Sequence, residues 1–181
     1  MRLALVVVLF VPASAHAGKY MMGEPPSTGW NWVGDAIDDA MDVGPEAGIA
    51  AVVDTNGRPD LAFDATLRAG IYRPTKSWFA SAGIELNVSF TFPVAWDWWQ
   101  VRSGVGTAVG PVSLALSWVI DAVESGSSAG ISPEVRIRHR IGDGLDKPSF
   151  GFFARMTHVF EARDQHPDRF AFGMFGAFDV L

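Results

Sequence analysis

The 181-residue chain contains no cysteine and only three lysines, Lys19, Lys76 and Lys147. Without cysteine there is no disulfide framework, no thiol nucleophile and no thiolate metal site. The formal net charge is −6, which gives no support to a nucleic-acid partner. After the first residues, no apolar run is long enough to form a transmembrane helix. The composition therefore excludes several classes of protein before any motif is considered.

Residues 1–17 have the pattern of a secretory signal peptide. Arg2 supplies a positive start, residues 3–11 are apolar, and Ala15-His16-Ala17 is a small-x-small cleavage site. An apolar run of about nine residues is too short to span a bilayer as a helix. We therefore expect cleavage near residue 18 and a mature chain outside the cytoplasm.

Residues 18–42 form an acidic periplasmic leader with its own composition. A short helix in this leader would place four apolar side chains on one side: Trp30, Val33, Ile37 and Met41. Such a helix could lie at a membrane interface or over a barrel mouth. A tethered and partly ordered leader is an equally good interpretation.

The remainder of the chain alternates between apolar and polar residues, with breaks at clusters of Gly, Pro, Asn and Asp. Eight such segments occupy residues 43–54, 60–73, 77–92, 97–109, 111–123, 129–141, 149–162 and 169–181. The short connections suit hairpins between neighbouring antiparallel strands. The sequence therefore predicts one all-β domain, residues 43–181, of eight antiparallel strands in up-and-down order.

The stretch SPEVRIRHRIG, residues 132–142, raises the question of which face meets water. Arg136, Arg138 and Arg140 alternate with apolar residues. In a soluble barrel the arginines would face solvent, whereas in a transmembrane barrel they would face the lumen. Across the segments the polar face holds mostly Gly, Ala, Ser and Thr and no lysine, which fits a narrow lumen better than a solvated surface. We therefore predict a transmembrane β-barrel with its apolar face outward.

The charged residues of the polar face are nearly balanced in sign. Enclosed charges must be paired, and the planar guanidinium of arginine suits pairing with carboxylates. We predict a structural ionic network in the lumen, made of Glu46, Asp64, Arg68, Glu85, Arg102, Glu134, Arg136, Arg138 and Arg155.

Aromatic residues on the apolar face lie largely toward the strand ends, as in the girdles of membrane barrels. The predicted girdle contains Trp78, Phe90, Phe92, Trp99, Phe150, Phe160, Phe170 and Phe178. Trp96 and Trp98 accompany them beside a turn.

Residues 43–181 resemble the small eight-stranded outer-membrane barrels, the group that includes the OmpA transmembrane domain and OmpX-like proteins. The resemblance rests on strand count and alternation. It implies insertion into a Gram-negative outer membrane by the barrel-assembly machinery, periplasmic termini, and contact with outer-membrane lipids and lipopolysaccharide. Two features depart from the group: the chain ends on Leu181 instead of an aromatic residue, and Pro133 interrupts the sixth segment.

The sequence shows no arrangement of residues for catalysis. Some outer-membrane lipid A deacylases use a lipid-facing His-Ser pair, but His158 is flanked on its face by Met156 and Phe160. His139 also falls on the apolar face. The leader and eight strands resemble the lipid A palmitoyltransferase too, but that enzyme's function implies an apolar lumen. No His, Asp and Glu spacing suggests a metal site, so we predict no catalytic residue, metal or cofactor.

The first hypothesis is therefore a non-enzymatic outer-membrane protein with a polar lumen largely filled by side chains. Its role would be structural, or it would interact with another envelope component. A narrow, porin-like passage for small solutes is a variant of the same hypothesis. The alternatives are a secreted or periplasmic soluble β-barrel that binds an apolar ligand, and a lipid-modifying outer-membrane enzyme. The sequence does not identify a protein partner.

Overall fold

The computed structural model describes residues 41–72, 82–95, 97–141, 148–160 and 167–178. The expected signal peptide, most of the leader, Trp78 and Trp96 lie outside these residues. No helix in the described part of the chain is long and apolar enough to cross a bilayer.

Eight strands account for almost all of the described residues. They are β1 Met41–Asp54, β2 Pro59–Tyr72, β3 Ala82–Pro93, β4 Trp98–Val109, β5 Val112–Val123, β6 Gly126–Arg140, β7 Ser149–Val159 and β8 Arg169–Ala177. Each strand pairs antiparallel with the next, and β1 also pairs with β8 to close the barrel. The predicted eight-stranded antiparallel barrel is confirmed.

Two strands, β1 and β6, begin at least two residues earlier than the sequence predicted, for identifiable reasons. Met41, expected on the leader helix, is the first residue of β1 and pairs with Ile71. The strand extends this far because the alternation of β1 continues to Asp42, whose side chain is fully buried inside the barrel. β6 begins at Gly126 because only Glu124 and Ser125 connect it to β5.

The connections alternate between two ends of the barrel. We call the end that holds the β1–β2, β3–β4, β5–β6 and β7–β8 connections the distal end, and the end where β1 begins the proximal end. The β1–β2 turn is held by the Asp54 carboxylate, which accepts hydrogen bonds from the backbone N–H of Asn56 and of Arg58, both at 2.9 Å. Gly57 adopts a φ of 75° in this turn, a conformation that suits glycine. These contacts set the register of the first hairpin.

The two faces of the wall are strongly unlike. On β2, Leu67 and Ile71 are about 60% exposed outside, while Arg68 is buried inside. On β6, Ile137 is exposed and both Arg136 and Arg138 are buried. On these strands the Leu and Ile side chains thus face outward and the arginines inward, the reverse of a soluble barrel.

Pro133 lies within β6, opposite Leu116 of β5. Toward β7, the flanking pairs Ile131 with His158 and Glu134 with Arg155 place it across from Met156. Proline has no N–H to donate to the Met156 carbonyl. The Ser132 hydroxyl donates to that carbonyl instead, at 2.9 Å, so the acceptor keeps a partner despite the proline.

Candidate functional site

The lumen is the most distinctive chemical feature of the barrel. Among the described residues, seven arginines and six carboxylates are buried in it. The nine residues of the predicted network are all in this group. The structure adds four more: Asp42, Asp121, Arg140 and Arg169.

Glu46 of β1 is the principal acceptor in the lumen. Its carboxylate receives Arg68 Nε from β2 at 2.8 Å. It also receives Arg136 and Arg138, both from β6 on the other side of the lumen. One carboxylate therefore joins three guanidinium groups from two strands that are not neighbours.

A second part of the network surrounds Asp64 of β2. Arg102 Nη2 lies 3.0 Å from its Oδ1, and Arg155 Nη2 lies 3.1 Å from its Oδ2. Arg155 also reaches Glu134 through Nη1, at 3.2 Å. Glu134 in turn pairs with Arg136, which connects this part to Glu46.

The proximal part continues from Arg68. Its Nη1 lies 3.1 Å from Asp42 Oδ2 and 3.0 Å from the Tyr72 hydroxyl. Asp42 pairs with Arg140, and Tyr72 donates to Glu85. Linked contacts thus run from Arg140 at the proximal end to the Asp64 cluster.

The distal end of the lumen holds a further group of polar residues. Asp121 accepts Gln100 Nε2 at 2.9 Å and pairs with Arg169. The Arg169 guanidinium lies 4.3 Å from the centre of the Trp98 ring, a cation–π distance. Trp98 therefore does not join the outward aromatics. It shares the inner face with Gln100 and Arg102, and Trp99 takes the outer face.

Sequence reasoning left several of these lumen residues out of the network. The alternation of β6 already placed Arg140 with the other arginines, and the two-residue spacing of Asp42, Gly44 and Glu46 was the signal for Asp42. Asp42 was missed because it was assigned to the leader. Arg169 opens a strand directly after a connection, where alternation gives no clear face.

Two phenylalanines lie inside the lumen against glycine. Phe153 pairs across β7 and β8 with Gly173, and Gly151 pairs with Phe175. A Cβ added to Gly173 would lie 2.7 Å from the Phe153 ring, so glycine leaves the space that the ring occupies. Arg155 lies 5.1 Å from the Phe153 ring centre, so these rings also border the ionic network.

Seven residues of the predicted girdle face outward: Phe90, Phe92, Trp99, Phe150, Phe160, Phe170 and Phe178. Of these seven, most lie toward the distal end, whereas Phe150 and Phe178 lie toward the proximal end. Phe63, Trp118, Phe152 and Phe172 also face outward, so the outer aromatics are not confined to the predicted girdle. Trp78, the remaining predicted member, falls outside the described residues.

His139 and His158 both face outward. His158 Nδ1 lies 3.0 Å from Asp168 Oδ2, and within the described part of the chain no hydroxyl hydrogen-bonds to His158. The described residues contain no group of three or more His, Asp or Glu that could hold a metal ion.

A cavity of about 450 Å³ opens at the distal end. It is lined by Trp98 and Arg169 and by rim carboxylates that include Asp54, Asp97 and Glu124. Trp98, Arg169 and the deeper Asp121 lie between this cavity and the central network.

No protein-family model matches the chain, and no curated protein matches it. Among solved structures, the crystal structure of Neisserial surface protein A (NspA) superposes with a TM-score of 0.50. The match covers 76% of this chain and 96% of NspA at 12% sequence identity. This chain has the fold of a small eight-stranded outer-membrane barrel. At this identity, the likeness to NspA concerns the fold alone.

Proposed function

We propose that the protein is an integral outer-membrane barrel whose lumen is closed by side chains, and that its role is non-enzymatic. The observation that carries this proposal is the inverted orientation of the wall. Charged residues are buried and paired inside, while large apolar residues such as Leu86, Leu114 and Phe152 are about half exposed outside. In water such an apolar surface would favour aggregation, whereas hydrocarbon is its natural environment.

The strand lengths support a membrane passage. The strands contain between nine and fifteen residues. Tilted strands of about 9 to 11 residues are sufficient to cross the hydrocarbon core. The closed ladder leaves no strand edge unpaired, as a barrel in lipid requires.

The ionic network supports a closed lumen instead of a wide pore. Ion pairs cross it from β1 to β6 and from β2 to β7, and Phe153 and Phe175 occupy further space. A barrel of eight strands has an interior that side chains can fill. We propose that the network holds the wall in one geometry and obstructs solute passage.

The same proposal includes a route to the membrane, which is based on the signal-peptide pattern of residues 1–17. Cleavage after residue 17 would release the chain into the periplasm, and the barrel-assembly machinery would insert it. The girdle residues would then contact outer-membrane lipids and lipopolysaccharide at the interfaces. We propose a structural role, or interaction with another envelope component, since the polar groups described in the lumen pair with one another.

Cell fractionation combined with gel mobility tests the membrane location. We expect the protein in the outer-membrane fraction, extracted only by detergent. An unheated sample should migrate differently from a boiled one, because the closed barrel resists unfolding by dodecyl sulfate. A protein recovered in the aqueous periplasmic fraction, with identical mobility before and after boiling, would contradict the proposal.

Planar-bilayer recording tests the closed lumen. Purified and folded protein should give no steady ion conductance. Stable conducting steps at protein concentrations that show the folded gel mobility would instead support the small-solute variant and refute the closed lumen.

A further inference from the structure

The inner face of the barrel carries few large side chains over the proximal halves of β3, β4 and β5. The inward residues there are mainly glycine, alanine and serine, with Glu85 and Asn87 as the larger members. Aromatic rings enter the lumen from other strands, as Phe153 of β7 and Phe175 of β8 do. Side chains therefore fill the lumen unevenly around its circumference.

The strand register joins the small residues into one continuous area. Asn87 lies across from Gly104, and Gly104 lies across from Ser117. One row closer to the proximal end, Gly106 lies across from Ala115. We call the area formed by these five residues the β3–β5 recess. All five lie within described strands.

The exposure of individual side chains shows that the recess is open space. Asn87 and Ala115 are part-exposed although both face the lumen. Elsewhere on the inner face, Ala50 and Ala62 are at most 1% exposed. An inward alanine is thus covered where the lumen is filled, and Ala115 is not covered. Water therefore has room beside it.

Arg102 lies at the distal end of the recess. It precedes Gly104 by two residues on the inner face of β4 and is 2% exposed. Thr91 and Asp121, on the two neighbouring strands, have no exposed surface. Arg102 Nη2 lies 3.0 Å from Asp64 Oδ1, but its Nη1 is buried and has no hydrogen-bond partner among the described residues. Because buried N–H groups are usually satisfied by protein or by ordered water, this end of the recess is a position for a polar guest.

The charged groups that border the recess already have partners. Glu134, on the β6 side, pairs with Arg136 and with Arg155. Glu85, on the β3 side, accepts the Tyr72 hydroxyl. An ion that entered the recess would compete with these contacts, whereas an uncharged molecule would leave them in place.

We propose that the β3–β5 recess is a water-filled compartment that admits small uncharged polar solutes from the proximal end and ends blindly at Arg102. The proposal rests on the proposed membrane barrel. The part-exposed inner residues continue toward the proximal end as far as Gly83, the first inner residue of β3. The Asn87 amide and the Ser117 hydroxyl provide both donors and acceptors for such a solute.

Cysteine labelling tests the recess, because the natural chain contains no cysteine. The probe is iodoacetamide, a small uncharged polar reagent that reacts with the thiolate form. In folded barrels in lipid vesicles, Ala115→Cys should react about tenfold faster than Ala62→Cys, because only the first thiol meets water. Ala50→Cys is a second covered position and should react as slowly as Ala62→Cys. Equal rates at the open and covered positions would refute the recess.

Leu116→Cys controls for arrival of the reagent through lipid. Leu116 is the neighbour of Ala115 on β5 and faces outward. A thiol in hydrocarbon does not ionise readily, so this variant should react as slowly as Ala62→Cys. A rate equal to that of Ala115→Cys would refute access through the lumen.

Asn87→Cys tests the direction of entry. Ala115 lies one row nearer to the proximal end than Asn87. Ala115→Leu should therefore slow the alkylation of Asn87→Cys about tenfold, because the larger side chain narrows the path. Ala47→Leu, on the outer face of β1, is the matched control and should leave the rate unchanged. Undiminished labelling in the Ala115→Leu background would overturn entry from the proximal end.

Heat-modifiable mobility is measured for every variant, so that loss of folding is not read as access to the lumen. A wild-type chain that never inserts into vesicles would refute the proposed function. A chain that inserts and shows the mobility shift, yet protects Ala115→Cys as fully as Ala62→Cys, would refute the β3–β5 recess alone.

Discussion

Glu46 illustrates how a single residue governs the lumen. Its carboxylate pairs with Arg68, Arg136 and Arg138, and all four side chains are buried. Burying a charge without a partner is much more costly than burying a matched pair. Glu46 therefore contributes one shared negative charge to three enclosed guanidinium groups, with Asp42 and Glu134 as further partners of Arg68 and Arg136.

The first prediction concerns this residue. Glu46→Ala should lower the free energy of unfolding by about 3–5 kcal/mol, because it removes the carboxylate that three buried guanidinium groups share and leaves an excess of buried positive charge. Urea titration of the folded barrel in lipid vesicles measures the change. Glu124→Ala, in the exposed β5–β6 turn, is the control and should change it by less than about 0.5 kcal/mol. Similar values for the two variants would contradict the importance of the network.

The second prediction concerns Ser132 beside Pro133. Ser132→Ala should cost about 1–3 kcal/mol, because the Met156 carbonyl then loses its donor. In a Pro133→Ala background a backbone N–H becomes available to the same carbonyl, so the same serine change should cost less. A double-mutant cycle of unfolding free energies measures the difference. If the effects of the two changes are strictly additive, the Ser132 hydroxyl does not take the place of the missing backbone N–H at Pro133.

At the scale of the element, each strand of the β7–β8 hairpin places one phenylalanine opposite a glycine of the other strand. Phe153 covers Gly173, and Phe175 lies across from Gly151. A Cβ on Gly173 would also lie 2.4 Å from the Ile49 carbonyl oxygen of β1. The pairing of three strands thus depends on the absence of a side chain at this position.

The third prediction follows from that geometry. Gly173→Ala should destabilise the barrel by about 1–3 kcal/mol, because either the Phe153 ring or the β1 backbone must move. Gly176→Ala on the same strand is the control, since an added Cβ there would meet nothing within 4 Å. The midpoint of heat-induced gel mobility reports the change, and equal midpoints for the two variants would contradict the steric explanation.

The strands and their two faces could be predicted because apolar and polar residues alternate with a period of two in the sequence. On β2 and β6, the Leu, Ile, Val and Phe side chains mark the outer face and fix the inner position of their neighbours. Trp98 escaped this reasoning because aromatic residues suit both the lipid interface and a filled lumen. Its inner position depends on the register of β4, which places it two residues before Gln100 on the same face.

At the scale of the whole molecule, alternation predicted neighbouring strands but not the pairing across the lumen. Glu46 meets Arg136 and Arg138 only because the sheet closes and brings β6 across from β1. Those contacts depend on barrel diameter and strand stagger, which no local pattern specifies. The sequence could therefore name members of the network without predicting their partners.

The fourth prediction tests the environment of the outer face. Leu116→Arg, near the middle of β5, should lower stability in vesicles by about 2–4 kcal/mol, because the guanidinium enters hydrocarbon. Val109→Arg, beside the Gly110 turn at the proximal rim, should cost about 0–1 kcal/mol. Urea unfolding in vesicles measures both. A neutral effect at Leu116 would indicate that this face meets water.

The seam between β1 and β8 joins the first strand of the barrel to the last. Until Arg169–Ala177 has been synthesised, the hydrogen-bonding groups of Glu46–Asp54 on that side have no strand to meet. The wall therefore cannot close until the last strand is available, and every earlier state of the folding chain carries two unpaired strand edges. Closure joins residues more than one hundred positions apart in the sequence, so it is a slow, non-local step in folding.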